Sequence, residues 1–187
     1  MALFPQALPC PASRLTGFAV ENAQILLAPS ASGGESLLTL YFKRYAEVEE
    51  PPVRTEIART IATVLRLICA EESPSSQQLL DALLSHDQTV ETTLWDMVKQ
   101  EKYQVVRSEG WFALALLARE PRGAARVVQT MDEELVRETL TQGGGLRNDR
   151  ANVGVLVAEL WKNSEEKRDF TDPLMRVYFR EEGVAFD

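Results

Sequence analysis

The reactive side chains of this chain are one histidine, two cysteines and an abundance of carboxylates. A general base needs a partner that orients it and a pocket that holds its substrate. His86 stands in a polar break between two helical segments with neither in view, so it reads as an exposed loop or capping residue. Cys10 and Cys69 lie far apart with no CxxC spacing. One histidine and two separated cysteines cannot assemble the usual zinc ligand set, and no metal or cofactor is predicted. Gly143-Gly-Gly145 lacks the Lys-Ser/Thr and the preceding strand of a phosphate loop, and is expected to be a linker, as is Gly33-Gly34. Acidic pairs occur at Glu49-Glu50, Glu71-Glu72, Glu165-Glu166 and Glu181-Glu182, with a run at Asp132-Glu133-Glu134. Most fall at helix ends or in connections, where they add solubility and, at helix starts, complement the macrodipole. The sequence therefore predicts no catalytic residue and a protein that is not an enzyme.

The charge balance narrows the partners. A formal net charge of -8 and a pI near 4.9 argue against nucleic acid, whose phosphates are bound by clustered Lys and Arg. Basic segments suit an acidic surface better. The proline-broken start, Met1-Ala-Leu-Phe-Pro, has no basic n-region, and no apolar run is long enough to span a bilayer. Separated thiols and the absence of a signal pattern point to a cytoplasmic protein without membrane insertion.

Helical periodicity organises the rest. Residues 1–14, with Pro5, Pro9 and Pro11, form an expected irregular lead-in, and 15–182 an expected all-α domain. Leu37, Leu38, Tyr41, Phe42 and Tyr45 recur at spacings of three and four, one face of a helix. After Pro51-Pro52 a helix should run from Val53 to Glu71, burying Ile57, Ile61, Val64, Leu65 and Ile68. Helices are expected over 77–85 and 89–102, then 105–119, apolar on nearly every side after Gly110 and so the most buried. Short helices should follow from Pro121 and from Glu133 after Asp132. A longer one is expected over 150–162 and a capping helix over 171–182. Trp95, Trp111 and Trp161 read as core.

One phrase recurs in this series. Arg54-Thr-Glu56, Arg107-Ser-Glu109 and Arg150-Ala-Asn152 each open an apolar helical run, 53 and then 43 residues apart. Recurrence at such a period marks helical units that must stack to bury their apolar faces. Val106, Glu109, Ala113, Leu114, Leu117 and Ala118 fall in register with the third helix of an armadillo repeat, which this segment resembles. That resemblance implies a right-handed helical solenoid of about three armadillo/HEAT-like repeats, over about 15–72, 75–120 and 121–163, with a C-terminal cap. It also implies that positions three and seven after the Glu/Asn line an inner binding face. These are Arg59, Thr63, Phe112, Leu116, Val155 and Glu159. They are not the Trp and Asn ladder of nuclear-import armadillo proteins, which disfavours that role.

Within armadillo proteins, Val106–Ala118 followed by Asp149-Arg-Ala-Asn-Val-Gly-Val-Leu156 is similar to the terminal repeats of small-GTPase GDP-dissociation stimulators. The resemblance implies a small-GTPase partner with a basic C-terminal tail and nucleotide release driven by binding alone. The alternative expectation is a scaffold or assembly subunit without a GTPase role.

Overall fold

The computed structural model describes residues 20–28, 34–70, 74–85, 89–141 and 147–181. The lead-in over 1–14, Cys10, His86, Asp87 and Gly143-Gly-Gly145 lie outside the described residues. Ten α-helices and one 3-10 turn make up the described fold, with no strand among those residues. The chain is all-α, as periodicity predicts.

The helices follow a short, short, long order. Helices α1 (Val20–Leu27) and α2 (Leu37–Glu47) precede the long α3 (Pro51–Ala70). Helices α4 (Pro74–Ser85) and α5 (Thr89–Val98) precede α6 (Gln104–Leu117). Helices α7 (Pro121–Thr130) and α8 (Glu133–Thr141) precede α9 (Arg147–Asn163). After a turn at Glu165–Lys167, α10 (Arg168–Glu181) ends the described chain.

Local chemistry sets these boundaries. Three helices open on proline, at Pro51, Pro74 and Pro121; a first-turn amide has no intrahelical acceptor, so its loss there costs little. Pro74 thus starts α4 three residues ahead of the helix expected over 77–85. Ser36 caps α2, its Oγ accepting from the Thr39 amide at 3.2 Å. Asp132 caps α8 by accepting from the Leu135 amide at 3.2 Å. That bond, with Lys99 beside it, holds the Asp132 carboxyl below its usual range. The α6–α7 corner requires Gly123, because a Cβ there would stand 2.0 Å from the Leu117 carbonyl oxygen.

The long helices form the centre. Helix α6 packs against α3 on one side and α9 on the other, with α5 behind it, and α10 packs on α9. Polar contacts show that α6 and α9 run parallel. Near their starts Arg107 Nε meets Asp149 Oδ2 at 2.7 Å; near their ends Asn163 Nδ2 donates to the Ala118 carbonyl at 3.0 Å. The core runs continuously through all three groups, from Leu38, Phe42 and Tyr45 to Val153, Leu156 and Leu160. Trp111 is fully buried, with Trp95 edge-on to it at 5.8 Å. Residues 113–118 of α6 are all buried, and α5 is closed in to a similar degree through Val90, Leu94, Trp95, Met97 and Val98. Helix α10 inserts Leu174 and Met175 into this core and lays the Tyr178 ring against Gly154, where a Cβ would come within 2.5 Å of the ring. None of the described helices is long and apolar enough to cross a membrane.

Candidate protein-binding face

Two seams flank α6, and they differ in how their polar groups are paired. At the α6–α9 seam the Asp149 carboxylate is completely buried and meets Arg107. Asn152 Nδ2 donates to the Ser108 carbonyl at 3.1 Å, and Asn163 closes the far end on the carbonyls of Ala118 and Arg119. A second buried carboxylate, Glu91 of α5, meets Arg126 of α7 at 2.8 Å. Arg126 also donates to the Leu84 carbonyl at 3.0 Å, tying α7 to the end of α4. Removing one member of such a pair strands a buried charge. Each pair joins two helices that are not adjacent in sequence, α6 to α9 and α5 to α7.

The α3–α6 seam is different at the surface. The Arg66 guanidinium lies 4.4 Å from the centre of the Phe112 ring, within the range of a cation–π contact. Beside it stands Glu109, whose carboxyl is pushed above its usual range by burial, an effect opposed by the positive charges of Arg66 and Arg59. These residues, with Ser108, Asn148 and Asn152, line a depression of about 240 Å³. One open face thus draws its side chains from α3, α6 and α9. That volume is below the roughly 300 Å³ where drug-sized and cofactor pockets begin, and it suits a single side chain.

Five of the six residues expected on the inner face are exposed or half-buried. Arg59 is exposed and pairs with Glu56 of its own helix at 2.8 Å. Thr63 is half-buried, Phe112 lines the depression, and Val155 is 49% exposed. Leu116 is different, at 7% exposure within the core. The expected inner face is interrupted there, because that turn of α6 faces its neighbours. Glu159 is half-buried and sits apart from the depression, bonded to Lys162 at 3.2 Å.

Sequence reasoning missed Arg66, Glu109, Asn148 and Asn152. A signal existed for Arg66, seven residues after Arg59 and therefore on the same helical face. Glu109 and Asn152 belong to the recurring phrase itself, which drew attention to the residues after them.

A larger polar depression of about 740 Å³ lies where α3, α6 and α9 end, lined by Cys69, Arg119, Glu120, Glu159 and Lys162 among others. Cys69 is a free thiol pushed up to about 11 by burial, so little thiolate exists there at neutral pH and the group is a poor nucleophile. Comparison with known protein families, curated proteins and solved structures found no match.

Proposed function

We propose that this chain is a non-enzymatic, protein-binding module of armadillo/HEAT-like helical repeats, with the partner seated on the face shared by α3, α6 and α9. One observation carries this: three long helices in a repeating short, short, long order expose on one side an arginine lying over an aromatic ring, a half-buried carboxylate with no ion pair among the described residues, and an exposed valine. Other polar groups of these helices, among them Arg107, Asn152 and Asn163, take part in interhelical bonds. Such a mixture of aromatic, guanidinium and apolar groups is what protein interfaces concentrate at their anchors.

The partner class we favour is a small GTPase, on the residues that resemble the GDP-dissociation stimulators. The mechanism is linkage. A module that binds the nucleotide-free GTPase more tightly than the GDP-bound form lowers the GTPase's affinity for GDP by the same factor, and no side chain here need act chemically. Arg59 and Arg66 give the face mixed charge, so its dependence on salt should be weaker than that of a purely acidic groove. Titration with nucleotide-free and GDP-loaded small GTPases at two salt concentrations tests this. Tighter binding of the nucleotide-free form with accelerated GDP release supports it, and indifference to nucleotide state rejects the stimulator role.

A scaffold reading is favoured by a separate observation. Ile25, Leu37, Leu40, Tyr41 and Val53 are exposed on the first group of helices, and apolar exposure at that end suits a subunit packed within a larger assembly.

A further inference from the structure

We infer that the depression between α3, α6 and α9 is a carboxylate-recognition subsite, in which Arg66, lying over Phe112, receives an Asp or Glu side chain of the protein partner. This rests on the protein-binding face proposed above and names the chemistry of one contact on it.

The pairing of the arginines leads to this assignment. Arg54, Arg107, Arg122 and Arg126 each meet a carboxylate of another helix: Asp96, Asp149, Asp81 and Glu91. Arg66 does not; its contact among the described residues is the face of Phe112. Arg137 and Arg168 also lie over rings, those of Phe170 and Trp161, but both are exposed and neither lines the depression. Arg66 is half-buried within it.

The guanidinium carbon of Arg66 lies over the Phe112 ring, 4.4 Å from its centre, and a guanidinium carries its N–H donors as a planar fork. That is the fork geometry that binds a carboxylate through two parallel hydrogen bonds. Because the contact with the ring already restrains the side chain, less of its freedom is lost on binding. Asn148 and Ser108 add polar residues to the lining, and the space fits one short acidic side chain. Ala151 and Val155, both exposed on α9, lie one turn apart on the same helical side and offer apolar surface to a neighbouring residue of the same partner.

Glu109 gives the assignment a second, opposite consequence. Its carboxylate shares the depression, so it repels an incoming acid, and neutralising it should tighten binding.

The experiment is selection from a displayed library of random short peptides, followed by affinity measurement on the leading sequences. The assignment predicts enrichment of Asp or Glu at one position. Changing that acid to its amide should weaken binding about tenfold or more, the scale of a lost charge-assisted bidentate contact. Arg66→Gln should cause the same loss, with little further loss when both changes are combined, and Glu109→Gln should tighten binding several-fold. Arg66→Lys keeps the charge and loses the planar fork; it should weaken binding nearly as much, which preserves the test should the Gln variant fail to fold. Leading peptides that are basic, or that bind Arg66→Gln as tightly as the wild type, overturn the carboxylate assignment. If Val155→Arg abolishes binding of those peptides, the face itself stands; if they bind Val155→Arg unchanged, the face falls as well. An empty selection also overturns the carboxylate assignment, and the face is then judged by the GTPase titration.

Discussion

The two sides of α6 use the same kinds of residue to opposite ends. Toward α9, an arginine and an acid meet with the acid fully buried, and asparagine side chains occupy backbone carbonyls at both ends of the seam. Toward α3, an arginine lies on a phenylalanine while the nearby Glu109 keeps an upward-shifted carboxyl. The first arrangement ties two helices together through Arg107, Asn152 and Asn163, with Asp149 Oδ1 left without a hydrogen bond among the described residues. The second leaves capacity unspent at the surface. Satisfied buried networks specify structure, whereas unsatisfied polar groups in a depression are available to a partner.

The largest effect should come from breaking the closed seam. Arg107→Ala leaves the Asp149 carboxylate buried without its cation and should cost about 3–5 kcal/mol, read from urea unfolding. Replacing both residues with apolar side chains of similar volume should restore most of that loss, which would mark the pair as a register device. If the double replacement is as unstable as the single one, the pair is a net stabiliser and the contrast drawn here is weaker.

The core and face positions on α6 should separate next. Leu116→Ala should cost about 2–4 kcal/mol as a buried large-to-small change, with Phe112→Ala costing less because its ring is partly exposed. Comparable losses at both positions would place Phe112 in the core and remove the platform from Arg66. Gly154→Ala probes the cap: its new methyl would press on the Tyr178 ring and should cost about 1–3 kcal/mol by overpacking, with faster amide exchange in α10.

The smallest effect concerns pH. Burial raises the folded-state affinity of Glu109 for its proton, so the carboxylate destabilises the fold at neutral pH and ceases to do so as it becomes protonated. Glu109→Gln should therefore be more stable than the wild type at pH 7, with the advantage shrinking as pH falls toward and below the ordinary Glu value of about 4.3. Asp132 carries the opposite sign. Its lowered folded value contributes stability that is present at neutral pH and lost as the carboxyl protonates. Asp132→Ala should cost about 1 kcal/mol at pH 7 as a lost cap and less in acid.

Much of the helical framework was legible because periodicity reports burial directly. The phrase opening at Arg107 marked α6, and its weaker copies marked α3 and α9. Helix starts were less legible, since Pro74 resembled a break until it served as a first-turn residue. The face was read only in part. Counting three residues on from the phrase gave Phe112, which lines the depression, and Arg59 and Val155, which are exposed; counting seven on placed Leu116 at the surface, where packing by neighbouring helices buries it. Asp149 and Glu91 gave no sign of being buried, because an isolated acid in a helix ordinarily faces water and only the arriving Arg107 or Arg126 makes its burial tolerable. Arg66 and Phe112 come together only once two helices are juxtaposed, and no single segment encodes that.

The most direct test of the central claim is a comparison of binding by Val155→Arg, on the face, and Ala125→Arg, at an exposed position of α7. A nucleotide-free small GTPase is the probe, and melting temperature confirms that each variant is folded. The account predicts that Val155→Arg loses binding and acceleration of GDP release while Ala125→Arg retains both. Retained binding by Val155→Arg, or no binding by the wild type, would contradict it.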